Sequence, residues 1–259
     1  MSLKSPTRKR KYSVKKNNYF DLLPRELLLI IFQNLSGTNL RSCACVCRHW
    51  NYMIKTILIS DTIIVCDITK SVSMYWPELL LTLNDIFFIH DHIRFGFVGY
   101  TDHFPSFKPH QLISSYPMTY DVDSLLSNLN SLTLGKGKDY PEAVLDGLYH
   151  ALTLNWRSNS NKSIILICDS PPHGAHYPGD YHDNFPEGCP CGLKESFIFS
   201  TLAKYNIPLS IIYTRIEMQH MISIFTSYYS NIKSFLVDDL NFFPILNSIC
   251  EDSRTSSTK

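Results

Sequence analysis

The pattern of apolar and polar positions divides the chain into two regions. Residues 20–54 have helical periodicity, and Pro24 suits the first position of a helix, where a missing N–H costs nothing. The polar stretch 36–39 interrupts the helix, and a second helical segment is predicted from Leu40 to Met53. These helices contain too few residues to bury a core alone, so we expect them to pack on a partner or on the following domain.

From Asp61 onward, short apolar runs alternate with helical stretches. The predicted strands are 62–65, 94–99, 163–168, 208–214 and 234–237, and the predicted helices are 77–88, 122–132, 141–156, 193–205, 217–229 and one from about 241. The run Ser163–Cys168 is almost wholly apolar, as expected of a strand buried on both faces. The alternation predicts an α/β fold with a doubly wound, mostly parallel sheet that binds ligands at the carboxyl ends of its strands.

Composition limits the classes of function. The 259 residues are 44% hydrophobic and 18% charged, which is normal for a folded, soluble protein, and the net charge of +1 gives no electrostatic case for binding nucleic acid or a membrane. No apolar run approaches the roughly 20 residues that a membrane helix needs. Among the eight cysteines, Cys66 and Cys168 lie inside apolar runs, where reduced thiols pack as small hydrophobes. We therefore expect an intracellular protein, cytoplasmic or nuclear.

The first eighteen residues are predicted to be a disordered basic tail. Seven lysines and arginines fall within the first sixteen positions, and no acidic residue lies among them. Whether this tail acts as a nuclear-import signal or as a weak nucleic-acid arm stays open.

The segments LPRELLLIIFQNL and NLRSCACVCRHW resemble the F-box, which we assign to residues 19–55. The matching positions are Leu23, Pro24, Glu26, Leu27, Ile31, Phe32, Leu35, Leu40, Val46, Cys47, Arg48 and Trp50. The resemblance implies docking onto the Skp-type linker of a Skp–cullin–F-box ubiquitin ligase. The partner-binding residues it implies are Leu23, Pro24, Leu27, Ile31, Leu35, Val46 and Trp50. An ordinary helical cap on the following domain is the alternative.

A candidate metal site follows the first strand. The run IIVCDITKS places Asp67, Thr69 and Ser71 at alternate positions of a strand-end loop. Carboxylate and hydroxyl oxygens suit Mg²⁺, or another divalent cation such as Mn²⁺ or Ca²⁺. The motif resembles the Asp-x-Ser/Thr-x-Ser pattern of von Willebrand A (VWA) domains, which have a Rossmann-like fold. We assign this domain to residues 60–252, followed by a polar tail at 253–259.

Two later segments extend this resemblance. LGKGKDYPEAVLDGL is similar to the helix-opening Asp-x-Pro-Glu segment of integrin β-type A domains, which implies that Glu142 is a metal ligand and that Asp139 serves a secondary cation site. SIILICDSPPHG places Asp169 at the position of the family's last acidic ligand. RFGFVGYTDH, NWR and FPEGCPCGL resemble the A domains found beside alpha-kinases.

A long loop after the predicted strand 163–168 carries five further potential ligands. They are His173, His176, His182, Cys189 and Cys191. Histidine and cysteine are the ligands that zinc prefers, but the Cys-x-Cys spacing is uncommon and five candidates do not select four. A zinc site and a plain polar loop both stay open.

The combined features predict a binding protein and not an enzyme. No phosphate-binding loop, nucleophile elbow or His-Glu-x-x-His motif is present, and we assign no catalytic residue. The predicted function is a substrate-recruiting ubiquitin-ligase adaptor whose A domain binds an unknown protein. The alternative is a non-catalytic scaffold that acts outside a ubiquitin ligase.

Overall fold

The computed structural model describes residues 23–33, 35, 37–57, 60–103, 112–158, 160–177 and 182–255. The predicted basic tail lies outside these residues. Among the residues described, no helix is both long and apolar enough to span a bilayer.

The N-terminal region is a bundle of three short helices, α1 (Arg25–Gln33), α2 (Gly37–Ala44) and α3 (Arg48–Ile57). Its core contains Leu28, Phe32, Trp50, Met53 and Ile54. The Phe32 and Trp50 rings meet edge to face with centroids 5.0 Å apart. The single helix predicted from Leu40 to Met53 is wrong, because a turn closed by the Val46 N–H on the Cys43 carbonyl (3.1 Å) separates α2 from α3.

The second region is built on a six-stranded sheet in the order β3-β2-β1-β4-β5-β6. The strands are β1 (Ser60–Asp67), β2 (Ile93–Tyr100), β3 (Ile113–Thr119), β4 (Asn161–Cys168), β5 (Leu209–Tyr213) and β6 (Ile232–Leu236). Only β3 is antiparallel to its neighbour, so the predicted mostly parallel sheet is confirmed. The edge strand β3 was not predicted: its sequence ISSYPMT lacks an apolar run, and Pro117 is tolerated because an edge strand need not donate every N–H.

Helices cover both faces of the sheet. They are α4 (Trp76–Ile89), α5 (Val122–Ser131), α6 (Val144–Thr153), α7 (Glu195–Tyr205), α8 (Gln219–Tyr228) and α9 (Phe243–Thr255). Successive side chains of a strand point to opposite faces, so Ile63 and Val65 join the core under α6, α7 and α8. Ile64 and Cys66 join the core under α4, α5 and α9. The predicted doubly wound architecture is therefore confirmed.

Two predicted boundaries differ from the structure. The helix expected from Pro141 begins only at Val144, because Glu142 forms an isolated parallel bridge with Pro172 instead of a helical turn. At the other end, α9 continues through Thr255, past the boundary predicted at residue 252. Ser253 is buried there, and its hydroxyl donates to the Cys250 carbonyl at 2.7 Å.

A buried ion-pair network closes the amino end of the sheet. Asp61, near the start of β1, is fully buried and accepts two hydrogen bonds of 2.9 Å from the Arg94 guanidinium. Arg157, in the loop before β4, donates to the same carboxylate from its backbone N–H and its guanidinium, both at 2.9 Å. This network holds the loop to the end of the sheet opposite the candidate metal site.

Candidate functional site

The carboxyl ends of β1 and β4 bring four of the predicted metal ligands together. Asp67 ends β1, and Asp169 follows the adjacent parallel strand β4. The Asp67 carboxylate accepts a hydrogen bond from the Thr69 N–H at 2.7 Å. The hydroxyls of Thr69 and Ser71 lie 2.8 Å apart, and the Ser71 hydroxyl donates to Asp169 at 3.2 Å. Asp67, Thr69 and Asp169 are buried and Ser71 is exposed, so Ser71 marks the open side of the site.

Backbone hydrogen bonds position Glu142 beside Asp67 and Asp169. Its N–H donates to the Pro171 carbonyl at 2.9 Å, which ties Glu142 to the loop after β4. The N–H of Gly135, on the same segment, donates to the Ile68 carbonyl at 2.7 Å, which ties the segment to the loop after β1. At Gly137, a Cβ would lie 2.5 Å from Glu142 Oε1, so any larger residue there would force the Glu142 carboxylate to shift. Glu142 is 3% exposed and comes from a third segment of the chain, as predicted.

The site concentrates carboxyl groups away from water, which disfavours their charged forms. Burial, together with the charges of Asp67 and Asp102, raises the pKa of Glu142 to about 12. Burial and the neighbouring Asp169 also raise the pKa of Asp67 well above its usual range. Asp67 Oδ2 and Glu142 Oε2 are buried and have no hydrogen-bond partner among the described residues. A bound cation would stabilise these two buried acids, because their unpartnered oxygens lie near other carboxyl groups.

Asp139, predicted as a secondary cation ligand, lies beside a buried histidine. Oδ2 of Asp139 accepts the Asn184 N–H at 2.6 Å. Asp139, His173 and Asp183 each offer one ligand atom within 4.8 Å of the others. However, His173 is already held by two carboxylates, with Nδ1 2.8 Å from Asp183 and Nε2 3.1 Å from Asp102. This arrangement accounts for the burial of His173 without a metal ion.

Two charged residues of the site were missed in the sequence. Asp102 is fully buried two residues after β2, and it accepts the Lys138 N–H at 2.9 Å. Its position just beyond a strand end was the available signal, because β2 ends at the same edge of the sheet as β1. Arg215 follows β5 and brings a guanidinium nitrogen to 3.7 Å from Asp169.

The five histidines and cysteines of the loop between β4 and α7 do not form one cluster. His173 belongs to the carboxylate pair described above, His176 contacts Glu195 at 3.0 Å, and His182 is exposed. Cys189 and Cys191 lie apart from these histidines, close to Asp146 of α6. A single zinc site built from the loop's own five candidates is therefore not what the structure shows.

The helical bundle exposes an apolar surface. Leu27, Ile30, Ile31 and Val46, which we call the bundle surface, have exposed fractions of 47%, 54%, 41% and 54%. Of the other predicted docking residues, Pro24 is exposed, whereas Leu23 and Leu35 are half-buried against the bundle core. The prediction that Trp50 faces a partner is wrong: it is 7% exposed because it fills the core beside Phe32.

Two family models match the chain. The F-box-like model matches residues 20–60, and the model for the von Willebrand factor type A domain of Mediator complex subunit 25 matches residues 84–234. The second match covers more than half of the chain. The chain belongs to this VWA family. Domains of the F-box-like and VWA types are typically interaction domains, which supports a role in protein interaction.

A curated relative and two solved structures resemble this VWA protein. The alpha-protein kinase vwkA of Dictyostelium discoideum is 26% identical over 153 residues, which are 57% of this chain and 24% of that protein. This relative confirms the predicted resemblance to alpha-kinase proteins, although the match spans only about a quarter of its length. The pilus adhesin SpaC of Lactobacillus rhamnosus GG, in its open conformation, has a TM-score of 0.53 at 13% identity, covering 76% of this chain and 30% of SpaC. Proximal thread matrix protein 1 from the mussel byssus, with a zinc-occupied MIDAS motif, has a TM-score of 0.51 at 15% identity, covering 75% and 46% of the two chains. At these identities the two structures show the fold alone.

The donor set of the VWA site fits a divalent cation. The two free buried oxygens, on Asp67 and Glu142, are acceptors that an ion would satisfy, and the hydroxyls of Thr69 and Ser71 are further oxygen ligands. A cation among these groups would also favour the charged forms of both acids, whose pKa values are raised by burial and by repulsion between the carboxylates. Such a site can attract a carboxylate from another molecule on its open side.

Proposed function

We propose that this protein is a substrate-recruiting adaptor of a Skp–cullin–F-box ubiquitin ligase. The F-box-like bundle docks on the Skp-type linker, and the VWA domain holds a divalent cation and binds the protein to be ubiquitinated. The adaptor works inside the cell, in the cytoplasm or the nucleus. The observation that carries the proposal is an exposed apolar bundle surface on a chain whose VWA domain also holds a buried cluster of acids with unpartnered oxygens.

The bundle surface supports the docking half of the proposal. Leu27, Ile30 and Ile31 are spaced three and four positions apart on α1, so they lie on one face of the helix. All three remain at least two-fifths exposed, although the neighbouring Leu28 and Phe32 are fully packed. An exposed apolar helix face is typical of a surface that binds another protein.

The metal site supports the recruiting half. Oxygen ligands alone favour Mg²⁺, Mn²⁺ or Ca²⁺ over softer ions. The buried acids Asp67 and Glu142 bind the ion on the protein side of the site, and the side with the exposed Ser71 is accessible to solvent. A carboxylate from the target completes the coordination there, because opposite charges attract strongly at short range in a site of low dielectric constant.

A pull-down with purified Skp-type linker tests the docking half. The double variant Leu27→Ala, Ile31→Ala should lose binding, because the truncations remove exposed apolar area without disturbing the bundle core. The matched control is Leu81→Ala, Phe88→Ala, which truncates side chains that are 64% and 80% exposed on α4 of the VWA domain. The control should bind like the wild type. A folded wild-type protein that does not bind the linker would contradict the ligase proposal and favour the scaffold alternative.

Thermal unfolding with added Mg²⁺ or Mn²⁺ tests the metal half separately. An ion that binds only the folded protein stabilises it by about 2.7 kcal/mol at one hundred times its dissociation constant. The wild type and the control Asp85→Asn, an exposed position on α4, should show the same metal-dependent rise in melting temperature. Asp67→Asn should show none. If the wild type does not respond to either ion, the metal half fails, whatever the pull-down shows.

A further inference from the structure

A second cluster of metal-binding side chains lies outside the site described above. It joins the end of β2, the first turn of α6 and the loop between β4 and α7, through His103, Asp146, Cys189 and Cys191. Each residue offers one ligand atom, and these four atoms all lie within 4.8 Å of one another. His103 and Asp146 are each 7% exposed, Cys189 is half-buried and Cys191 is exposed.

The distances within this cluster are close to those of a zinc site. Asp146 Oδ2 lies 2.9 Å from His103 Nε2 and 3.1 Å from Cys189 Sγ, and Cys189 Sγ lies 3.8 Å from His103 Nε2. Tetrahedral zinc, with bonds of about 2.0–2.3 Å, separates its ligand atoms by about 3.3–3.8 Å. The two shorter distances, both to Asp146, therefore need to lengthen by only a few tenths of an ångström to admit the ion, and Cys191 lies within 4.8 Å of the other three ligand atoms.

The loop is shaped to present both sulfur atoms. Gly188 and Gly192 flank the Cys189-Pro190-Cys191 segment with φ angles of 108° and 76°, a backbone conformation that favours glycine. The Gly192 N–H donates to the Cys189 carbonyl at 2.9 Å and closes a turn around Pro190. This turn faces Asp146 on α6, so the short Cys-x-Cys spacing is compatible with two ligands to one ion.

We propose that His103, Asp146, Cys189 and Cys191 form a structural zinc site. Two thiolates, an imidazole and a carboxylate suit zinc, whereas the oxygen-only site at Asp67 suits a harder cation. Four protein ligands close the coordination shell, so this ion stabilises structure and does not perform chemistry.

The zinc ion would link the loop between β4 and α7 to α6 and to the residues that follow β2. One pair of ligands lies in the loop, and of the other pair His103 lies three residues after β2 and Asp146 lies in α6. The same loop carries His173, which contacts Asp183 through Nδ1 and Asp102 through Nε2 and so borders the acidic site. Zinc would thus hold in place the polypeptide that borders the proposed recruiting site, although the zinc proposal does not depend on that function.

Metal analysis of the purified, reduced full-length protein tests this proposal. After dialysis against metal-free buffer, the wild type should retain one zinc ion per chain, and Cys189→Ser, Cys191→Ser should retain none. A matched control is Cys43→Ser, Cys45→Ser, which removes another Cys-x-Cys pair and should leave zinc unchanged. Asp67→Asn should also keep its zinc, which separates this ion from the one proposed at the acidic site.

Cobalt substitution of the wild type gives a readout that does not depend on the double serine variant folding. Co²⁺ added to the zinc-free wild type should produce a thiolate-to-cobalt charge-transfer band in the near ultraviolet, and Cys191→His should bind the ion with a weaker band. A folded wild type that retains no zinc and shows no thiolate band would overturn the proposal. It would equally be overturned if zinc were kept by the Cys189→Ser, Cys191→Ser variant but lost from Asp67→Asn.

Discussion

The Asp61 network should make a large contribution to the stability of the VWA domain. The fully buried carboxylate accepts six hydrogen bonds: two from Arg94, three from Arg157 and one from the Ser160 hydroxyl. Asp61→Asn keeps the shape of the side chain but removes its charge and turns one of its oxygens into a donor that faces other donors. Both guanidiniums then lose their counter-ion.

The size of the effect follows from the burial of the partners. Breaking a buried ion pair costs about 3–5 kcal/mol because the remaining charge stays desolvated. The side chains of Arg94 and Arg157 are 13% and 26% exposed, so each keeps some access to water. We therefore expect the lower end of the range, about 3 kcal/mol. Asp252 forms an ion pair with Lys233, and both side chains are more than half exposed. Asp252→Asn should therefore lower the free energy of unfolding by at most about 1 kcal/mol.

Native-state hydrogen exchange of the β1 amides measures this difference within the VWA domain. A loss of about 3 kcal/mol lowers protection on the order of 100-fold in Asp61→Asn, whereas Asp252→Asn should remain close to the wild type. Burial alone would raise the pKa of Asp61, but hydrogen bonds from Arg94 and Arg157 hold it below its usual 3.8. The stabilisation is therefore present above about pH 4 and is lost as the pH falls through the lowered pKa. Equal effects of the two substitutions would refute the reasoning.

Three further substitutions test other parts of the molecule. Gly137→Ala should displace the Glu142 carboxylate, since the new Cβ would lie 2.5 Å from Oε1, and should therefore reduce the metal-dependent rise in melting temperature. The exposed control Asp85→Asn should leave that rise unchanged. His173→Gln should lower unfolding free energy by about 2 kcal/mol below pH 6.5 and by less at alkaline pH. Burial alone would lower the pKa of His173, but hydrogen bonds and charge interactions with Asp102 and Asp183 raise it. The stabilisation is therefore lost as the pH rises through this raised pKa. Urea unfolding measured across that pH range would contradict this reasoning if His173→Gln lowered the unfolding free energy equally at every pH. Trp50→Ala should cost about 3–5 kcal/mol, measured by hydrogen exchange in α1, whereas truncating exposed Val46 to alanine should cost less than about 1 kcal/mol.

The strands and helices with strong patterns could be predicted from the sequence alone. β1 and β4 each contain an apolar run, IIVC and IILIC, because both faces of a central parallel strand are covered by helices. The edge strand β3 has no such run, since only part of its surface packs against the protein. It forms a strand because it pairs with β2, and that pairing cannot be read from the sequence of β3 alone. In α9, the pattern does not show that Ser253 is buried, because its carbonyl accepts a hydrogen bond at 3.3 Å from the side-chain amide of Asn161, which is distant in sequence.

The sequence also determined which side chains of the acidic site are available, because Asp67 and Asp169 follow buried strands that must end at one edge of the sheet. Only the tertiary structure decided what these side chains meet. Asp102 approaches Glu142 although forty residues separate them, and His103 and Asp146 meet two loop cysteines that local spacing would have paired with nearby histidines. Periodicity records which face of an element is buried, and it carries no information about the distance between side chains on separate elements. Convergence of that kind is set by the order and register of the strands, which exist only in the folded chain.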